Sequence, residues 1–541
     1  MNKNKAILFF LLIFYLIGCE KPKEVKNNIS DYNISTQLDT TDLFLECRMQ
    51  LNWMNSSDSL IYEIPFLFKQ DSLDNLINRV EINDTNCSFK AISKETGGEF
   101  DGFVLQLNDP IKPFQEARIF IDFKGDKADW FRDDVMIYSN VFPVLQYFKD
   151  GVFNPHFQVH SNYKVKLSYP TQYKAALSGV INSTDTLNGI VENNAIANNV
   201  PNYGVVLLKD VELLEDSISG IKIRSFYFKD DAKWGKKLLE YSKDIIQFYI
   251  DRLGFYPQSV ISIVPGYSRP HGGWPICPNV VGIHRGIDLK KERAETHAHW
   301  IMAHEIGHQY WGFNYVLEPV NYPQWLGIGM GIFTDRFYTL NNIPDFNHSK
   351  AFSRSYLRAM KKGYNTTIMQ TVDTLNKQGF DWNNALLHDK SFSVLQMLAY
   401  ELGDTTFLDI YKYCLNNHQG INITLDMFKK DCERISKRNL DDFFSTWFFS
   451  NKYLDYQIDT VITNFKNGKY ENEVRVGRVG NADISHVIID VYIEGGEKKR
   501  TQISGTEEKV SFKLTTDKPI NRVVLDPDLK LLLVNRKEWN K

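Results

Sequence analysis

The stretch E-T-H-A-H-W-I-M-A-H-E-I-G-H-Q-Y-W-G-F, residues 295–313, decides how this chain of 541 residues is interpreted. Neither glycine nor proline interrupts it before Gly307, and this predicts a helix. Side chains four residues apart lie on one face of a helix, so His304 and His308 can hold one metal ion between them. Glu305 lies about 100° further round the helix, where a carboxylate can take a proton from water. A second interpretation stays open, in which the two histidines only cap or pack the helix.

The residues around this pair, A-H-E-I-G-H-Q-Y-W-G at 303–312, closely resemble the zinc helix of the aminopeptidase N family of gluzincin metallopeptidases. The resemblance implies a zinc ion held by the two histidines and a water activated by Glu305. In that family the third zinc ligand is a glutamate in a W-L-N-E-G motif at the start of the next helix. The counterpart here is W-L-G-I-G at 325–329, where Ile328 stands in the place of the glutamate.

A second segment near residue 272 also resembles the family. There an edge strand carries a G-x-M-E-N motif, whose backbone binds the substrate as an added strand and whose glutamate holds the free α-amine of the substrate. The resemblance therefore implies that Gly272, Gly273 and Trp274 bind substrate. Pro275 falls at the position of the glutamate, so recognition of a free amine is predicted to be lost.

The third segment, H-D-K-S-F-S-V-L at 388–395, resembles a family segment whose tyrosine stabilises the oxyanion that forms on the scissile carbonyl. His388 occupies the position of that tyrosine, and we expect it to act as a zinc ligand or as an oxyanion donor. Glu318 is the other acid that could reach inward as a ligand, but a solvated loop charge is the expected role. Asp335 is expected to support the site without touching the metal.

Two functions remain open on these residues. In the first, the chain is a zinc metallopeptidase that hydrolyses peptides. In the second, replacement of the third ligand, the amine-binding glutamate and the oxyanion tyrosine leaves a non-catalytic protein that binds a peptide or protein partner in a former peptidase cleft. A third donor close to the two histidines would favour the enzyme, and an apolar cleft floor would favour the binding protein.

Composition excludes one class of partner. The formal net charge is −3 at pH 7, so no basic excess exists to displace the counterions of a nucleic acid. A hydrophobic fraction of 43% over 541 residues indicates a globular chain of more than one domain. The five cysteines after residue 19 are scattered without metal-binding spacing, and buried free thiols are expected for most of them.

The N-terminus has the pattern of an export signal. Residues 1–18 contain Lys3 and Lys5, followed by an apolar run at 6–17 that is short for a membrane span. The sequence L-I-G-C at 16–19 resembles the bacterial lipobox, which implies that Cys19 becomes the lipidated terminus. We therefore expect an exported protein that is lipid-anchored to the bacterial cell envelope, with residues 19–42 as a tether.

The predicted fold class is multidomain α+β. Short alternating runs punctuated by Gly, Asn, Asp and Pro predict an N-terminal β domain at 43–215. Strand and helix patterns mix at 216–452, and the family resemblance implies a thermolysin-like catalytic domain rich in helices there. Alternation returns after residue 453, which predicts a C-terminal β-sandwich at 453–541.

Overall fold

The computed structural model describes residues 29–70, 73–127, 134–265, 272–284, 294–320, 325–370 and 383–541. The predicted export signal, Cys19 and the first part of the predicted tether lie outside these residues. Within the described ranges, no helix is both long and apolar enough to cross a membrane. The chain combines extended β regions at both ends with a helical middle, so the predicted α+β class is confirmed.

In the described residues, the regular elements of the N-terminal part are strands and two short helical turns, and the first strand starts earlier than the sequence indicated. Strand β1 (Ser30–Leu38) lies inside an eight-stranded sheet of order β15-β16-β13-β1-β2-β8-β4-β5. Its alternate side chains, among them Tyr32, Ile34 and Leu38, are buried. The prediction of a tether up to residue 42 was therefore wrong from residue 30 onward. Every second residue of β1 is exposed, and this polar face made the segment look like a tether. The burial of its other face becomes visible only when β1 pairs with distant strands.

The other strands of this part are β2 (Leu45–Met54), β3 (Ile61–Leu67), β4 (Ile77–Ile82), β5 (Thr85–Asn86), β6 (Ser88–Ile92), β7 (Gly102–Ile111), β8 (Glu116–Gly125), β9 (Val135–Tyr138), β10 (Val144–Leu145), β11 (Tyr147–Lys149), β12 (Val152–Asn154), β13 (Ser161–Pro170), β14 (Tyr173–Leu177), β15 (Val180–Leu187), β16 (Ile190–Val200) and β17 (Val205–Lys209). One four-residue helix, α1, lies at Leu73–Leu76.

A mixed five-stranded sheet of order β18-β19-β20-β22-β21 opens the middle region. Its strands are β18 (Val211–Ile218), β19 (Ile221–Phe228), β20 (Val260–Pro265), β21 (Gly273–Cys277) and β22 (Val280–Ile283). Among the strands of the described residues, β21 pairs only with β22, antiparallel, so it is an edge strand there. The segment predicted to carry the substrate-binding edge therefore does lie at an edge.

The helices of the middle region follow in chain order. They are α2 (Ala232–Leu253), α3 (Ala294–Gly307), α4 (Trp325–Asn342), α5 (His348–Ala351), α6 (Arg354–Lys361), a π-helix (Asn383–Lys390), α7 (Ser391–Leu402), α8 (Asp404–Asn417), α9 (Leu425–Ser436) and α10 (Asp441–Phe449). Two two-residue strands, β23 (Trp311–Gly312) and β24 (Val316–Leu317), lie between α3 and α4.

Helix α4 forms in spite of three glycines in its first two turns. Each glycine costs a helix about 1 kcal/mol relative to alanine, but every residue from Trp325 to Thr339 is buried. A Cβ on Gly329 would lie 3.0 Å from Leu395 of α7, and a Cβ on Gly331 would lie 2.3 Å from the ring of His308. The glycines therefore let α4 approach both neighbours closely, and burial outweighs the helix propensity.

The C-terminal part contains two sheets, of orders β25-β26-β29 and β28-β27-β30-β31. Its strands are β25 (Tyr456–Lys466), β26 (Lys469–Arg478), β27 (His486–Ile493), β28 (Lys498–Ser504), β29 (Lys509–Thr516), β30 (Ile520–Leu525) and β31 (Trp539–Asn540). Val487, Ile489, Val491 and Ile493 of β27 are all buried, as their alternation predicted. The five cysteines of the described residues are free thiols.

Candidate active site

Helix α3 brings the two predicted metal ligands together. The Nε2 atoms of His304 and His308 lie 3.0 Å apart, and both rings are almost wholly buried. An ion with Zn–N bonds of about 2.0–2.1 Å can contact two nitrogens at that separation. The 304–308 pairing predicted from helical spacing is present, although α3 ends at Gly307 and His308 is held by the last helical hydrogen bond, from its N–H to the carbonyl of His304 at 3.1 Å.

Asp335 of helix α4 orients the first histidine. Its Oδ2 atom lies 2.8 Å from Nδ1 of His304, and its Oδ1 atom contacts Nε2 of His348. A ring nitrogen that faces a carboxylate carries the proton, which leaves the other nitrogen free to accept a metal. Asp335 is fully buried, so this carboxylate fixes the orientation of His304 from behind, in the supporting position expected of it.

Both histidines are held in the neutral form that binds metals. Burial lowers the pKa of His304 to about 3, and the nearby charge of His388 adds to that effect. Burial also lowers the pKa of His308 well below its usual range, with further contributions from His304 and His388. Nε2 of each ring is thus an available donor at neutral pH, which fits a divalent cation such as zinc.

Glu305 lies beside the histidine pair with one oxygen unsatisfied. Its side chain is 3% exposed, and its Oε2 atom is buried with no hydrogen-bond partner among the described residues. Burial raises the pKa of this carboxyl well above its usual range, and the charge of Asp335 raises it further. A buried carboxyl oxygen without a partner is costly, so the site is shaped for a water or a substrate group that this chain does not itself supply.

The edge strand β21 passes directly over Glu305. A Cβ atom on Gly273 would lie 2.6 Å from Cγ of Glu305, so only glycine lets the strand approach that closely. Trp274 faces the other side of the sheet, where its ring lies against Gly282 of β22. Gly272 is tied through its backbone to His284 at the end of β22. The part of the substrate-binding prediction that lies nearest the site is therefore the backbone at Gly273.

On helix α4, an apolar residue occupies the position of the family's third zinc ligand. Residues 328, 331 and 335 fall on one face of that helix by their spacing. Gly331 contacts the His308 ring and Asp335 contacts His304, so this face looks toward the histidine pair. Ile328, the residue in the place of the glutamate, is 7% exposed and belongs to the hydrophobic core. Helix α4 therefore supplies support to the site but no donor in its first turn.

His388 approaches the pair from the π-helix. It is half-buried, and its positive charge would lower the pKa of both His304 and His308. His388, which by resemblance replaces the oxyanion tyrosine, therefore lies close enough to interact electrostatically with both rings. Its role as ligand or oxyanion donor stays a prediction.

The prediction that Glu318 is a solvated loop charge was wrong. The side chain is 4% exposed, and Oε2 accepts the backbone N–H of Gly327 at 2.9 Å. Burial raises its pKa to about 8, and hydrogen bonds from the N–H groups of Gly327 and Leu326 oppose that rise. Strands β23 and β24 fold the chain back beneath α4, so this acid caps the N-terminus of that helix. A Cβ on Gly327 would lie 2.6 Å from Oε1 of Glu318, so the cap and the glycine require each other.

A cavity of about 380 Å³ separates the N-terminal domain from this part of the helical region. Phe313, whose ring lies 5.4 Å from that of His308, and Glu318 line it on one side. Lys69, Lys94 and Asn140 are among the polar residues on the other. Gln158 ties the two sides together through a hydrogen bond of 2.9 Å to the carbonyl of Glu318. The cavity therefore reaches Phe313, the neighbour of the His308 ring.

Sequence reasoning missed two residues of the site. His348 lies 13 positions after Asp335 and reaches its carboxylate only because α5 folds back onto α4. Phe352 lies with its ring 6.4 Å from that of His304. Neither position has a spacing signal in the sequence, since each contact crosses a helix boundary.

His304 and His308 face each other, the buried Glu305 directly follows His304, and Asp335 on the next helix supports the pair. This arrangement is that of a zinc metallopeptidase scaffold. Comparison with known families agrees: residues 286–447 match the Peptidase family M1 domain. The resemblance to the aminopeptidase N family is therefore confirmed over this range, and the family is zinc-dependent. No curated protein matches the chain.

Proposed function

We propose that this protein is a zinc-dependent peptidase that cleaves peptides without requiring a free N-terminal amine. One observation carries the proposal: the buried, unpartnered Oε2 of Glu305 lies next to a histidine pair whose Nε2 atoms are 3.0 Å apart. Leaving such an oxygen unsatisfied costs about 1–3 kcal/mol. A relic scaffold under no functional constraint would be stabilised by replacing that glutamate.

His304, His308 and His388 are the residues that would hold the ion, since catalytic zinc takes three protein ligands. When bound, zinc supplies Lewis acidity toward the scissile carbonyl and toward water. Glu305 accepts the proton of the attacking water at Oε2 and passes it to the leaving amine. Asp335 holds His304 with its Nε2 atom toward the ion, because its carboxylate accepts the Nδ1 proton.

The substrate preference follows from β21. Pro275 replaces the carboxylate that would bind a free α-amine, and the adjoining stretch from 266 to 274 contains no Asp or Glu. An internal peptide segment can still lie along the edge strand beside Gly273, where the close approach to Glu305 requires a glycine. We therefore propose that the substrates are peptides with a blocked N-terminus or internal segments of longer peptides.

The test combines metal content with two peptide probes. Purified protein is expected to retain about one zinc ion per chain after dialysis, and His304→Ala is expected to retain none. Quenched fluorescent peptides with acetylated and with free N-termini are expected to be cleaved at similar rates. Strict dependence on the free amine would contradict the substrate preference, and absence of zinc from both proteins would contradict the enzyme.

A second candidate function is a non-catalytic peptide-binding protein. The burial of Ile328 on the face of α4 that looks toward the histidines favours it, because an apolar residue there supplies no ligand. If the protein only binds peptides, the acetylated peptide should bind with the same affinity before and after zinc is removed, and it should not be cleaved. Binding that disappears with zinc would contradict it.

We further propose that the chain is exported and anchored by a lipid on Cys19, and that residues 216–452 have a thermolysin-like arrangement followed by a β-sandwich. The basic and apolar pattern of residues 1–18 and the L-I-G-C sequence support the anchor. Expression of Cys19→Ser in a bacterial host is expected to move the protein from the membrane fraction to the soluble fraction. Equal membrane association of both forms would contradict it.

A further inference from the structure

A basic cleft of about 520 Å³ lies where helices α5 and α6 meet the C-terminal part of the chain. Five of its nine lining residues are cationic, and no carboxylate of the described residues lines it. The cationic residues are Lys350, Arg354, Arg358, Lys361 and Arg536. We call this space the basic cleft.

Four of the five cations of the basic cleft are not compensated by a carboxylate of the described residues. Lys350, Arg354, Arg358 and Lys361 form no ion pair with any carboxylate of the described residues. The sequence has no Asp or Glu from residue 346 to residue 372, although the whole chain has a formal net charge of −3. Like charges one helical turn apart destabilise a helix, so the concentration of cations is a local cost that a bound anion would relieve.

The two arginines of α6 are spaced to act together. Arg354 and Arg358 lie one helical turn apart, with side chains about 6 Å from each other at their base. Arg536 faces them from the C-terminal part, where its guanidinium donates to Oδ2 of Asp526 at 2.8 Å. That ion pair holds Arg536 in place before any ligand arrives. Three guanidinium groups around one concave space match two or more phosphate or sulfate groups, which they bind through paired hydrogen bonds.

A hydroxyl group at the floor of the basic cleft is also available. Ser353 occupies the N-cap position of α6, yet its side chain makes no capping hydrogen bond. Oδ2 of Asp389 takes that role instead, accepting the N–H groups of Ser355 at 2.5 Å and Tyr356 at 3.1 Å. Ser353 is therefore free to donate to an anion in the cleft.

The walls of the basic cleft are joined by a chain of hydrogen bonds. Ser349 donates to Oε1 of Gln396 at 2.7 Å, and Nε2 of Gln396 donates to the carbonyls of Leu529 at 3.0 Å and Lys530 at 3.1 Å. A ligand held by both walls would thus bridge helices α5 and α6 to the C-terminal part. Binding should therefore stabilise the folded protein as a whole.

We propose that the basic cleft binds a ligand that carries two or more phosphate or sulfate groups. All five cations are exposed to solvent, but a basic helix face that served only solubility would not require a facing arginine on a concave wall. Here the cations converge from two parts of the chain on one space. The ligand chemistry has two possible sources, a soluble polyanion or the headgroups of an anionic membrane, and the experiment separates them.

The experiment measures binding of sodium tripolyphosphate to the full-length protein by calorimetry. Saturable binding is expected, and its affinity should fall as salt rises. The double variant Arg354→Gln/Arg358→Gln should weaken that binding by about tenfold or more, because two charge-assisted bonds are lost. The matched control is Lys233→Gln/Lys236→Gln on α2, which removes the same charge from two exposed lysines elsewhere.

A second arm uses vesicles of phosphatidylglycerol and of phosphatidylcholine in a sedimentation assay. Arginine-dependent binding of tripolyphosphate alone assigns the cleft to soluble polyanions, and arginine-dependent binding of phosphatidylglycerol vesicles assigns it to membrane headgroups. Thermal melting of each variant checks that it is folded. Equal loss of affinity in the α2 control would overturn the proposal, as would the absence of binding to either probe. Neither readout depends on zinc or on peptide cleavage.

Discussion

The two halves of the candidate active site differ in how much of a peptidase they retain. The half built by helices α3 and α4 has facing histidines, a buried glutamate and a carboxylate that orients His304. The half built by the edge strand and the π-helix has Pro275 and His388 where the aminopeptidase N family has its amine-binding acid and its oxyanion tyrosine, and Ile328 of α4 stands in the place of the third ligand.

The difference teaches that the histidine pair and its supporting carboxylate can stay in place while the residues around them are replaced. Asp335 and the histidines pack within a core of α3 and α4, where a change of volume is costly. The substrate side is made of an edge strand and a π-helix, where replacements are tolerated more easily. We therefore expect variants in the first half, and of His388, to abolish chemistry, and variants of the edge strand to change the substrate preference.

The largest expected effect is that of Glu305→Gln. This change keeps the shape of the side chain but removes its ability to take a proton, so the rate of peptide cleavage should fall about 10²–10⁴-fold. Zinc content measured on the same sample should not change. Retained cleavage would place the general base elsewhere.

His388→Ala comes next. A lost ligand should cost more than the roughly 10–100-fold that the loss of an outer partner costs in metal affinity, so we expect zinc affinity to drop at least about 100-fold. Titration with a competing chelator measures it. Unchanged zinc affinity with a cleavage rate lowered about 10²–10³-fold would instead make His388 an oxyanion donor.

Ile328→Glu sharpens the comparison by adding a donor to the apolar face of α4. We expect zinc affinity to rise by about tenfold or more, because a carboxylate is a good zinc ligand. Without zinc the variant should unfold at a lower temperature, since a buried unpaired carboxylate is costly. The double variant Ile328→Glu/His388→Ala should regain zinc that His388→Ala loses, and failure to regain it would show that residue 328 does not reach the ion.

The smallest effect is that of Glu318→Gln, outside both halves. The pKa of Glu318 is about 8 in the folded protein and about 4.3 when unfolded. The folded state therefore holds the proton more tightly, and stability from this group is present below pH 4.3 and is lost as the pH rises toward 8. Glutamine keeps a capping oxygen without that charge, so the variant should be more stable than the original by about 1–4 kcal/mol at pH 8 and equal to it near pH 4. Equal pH profiles in urea unfolding would contradict this assignment.

Much of the fold followed from local pattern. The alternating strands after residue 453, β27 among them, and the helix that carries His304 were predicted, because apolar residues recur there with periods of two and 3.6 residues. The tether at residues 30–42 failed for the opposite reason. A half-buried strand with polar residues on its outer face is recognised only by the strands that pair with it.

The sequence by itself determined the kind of site. His304, Glu305 and His308 need only one helix to come together, and the missing glutamate at Ile328 is visible in the letters. Tertiary structure alone decided how that site is supported and what else surrounds it. His348 reaches Asp335, Glu318 caps α4, and Arg536 faces Arg354 only because separate elements pack against each other. Such contacts join residues whose distance along the chain has no fixed relation to their distance in space, so no local spacing encodes them.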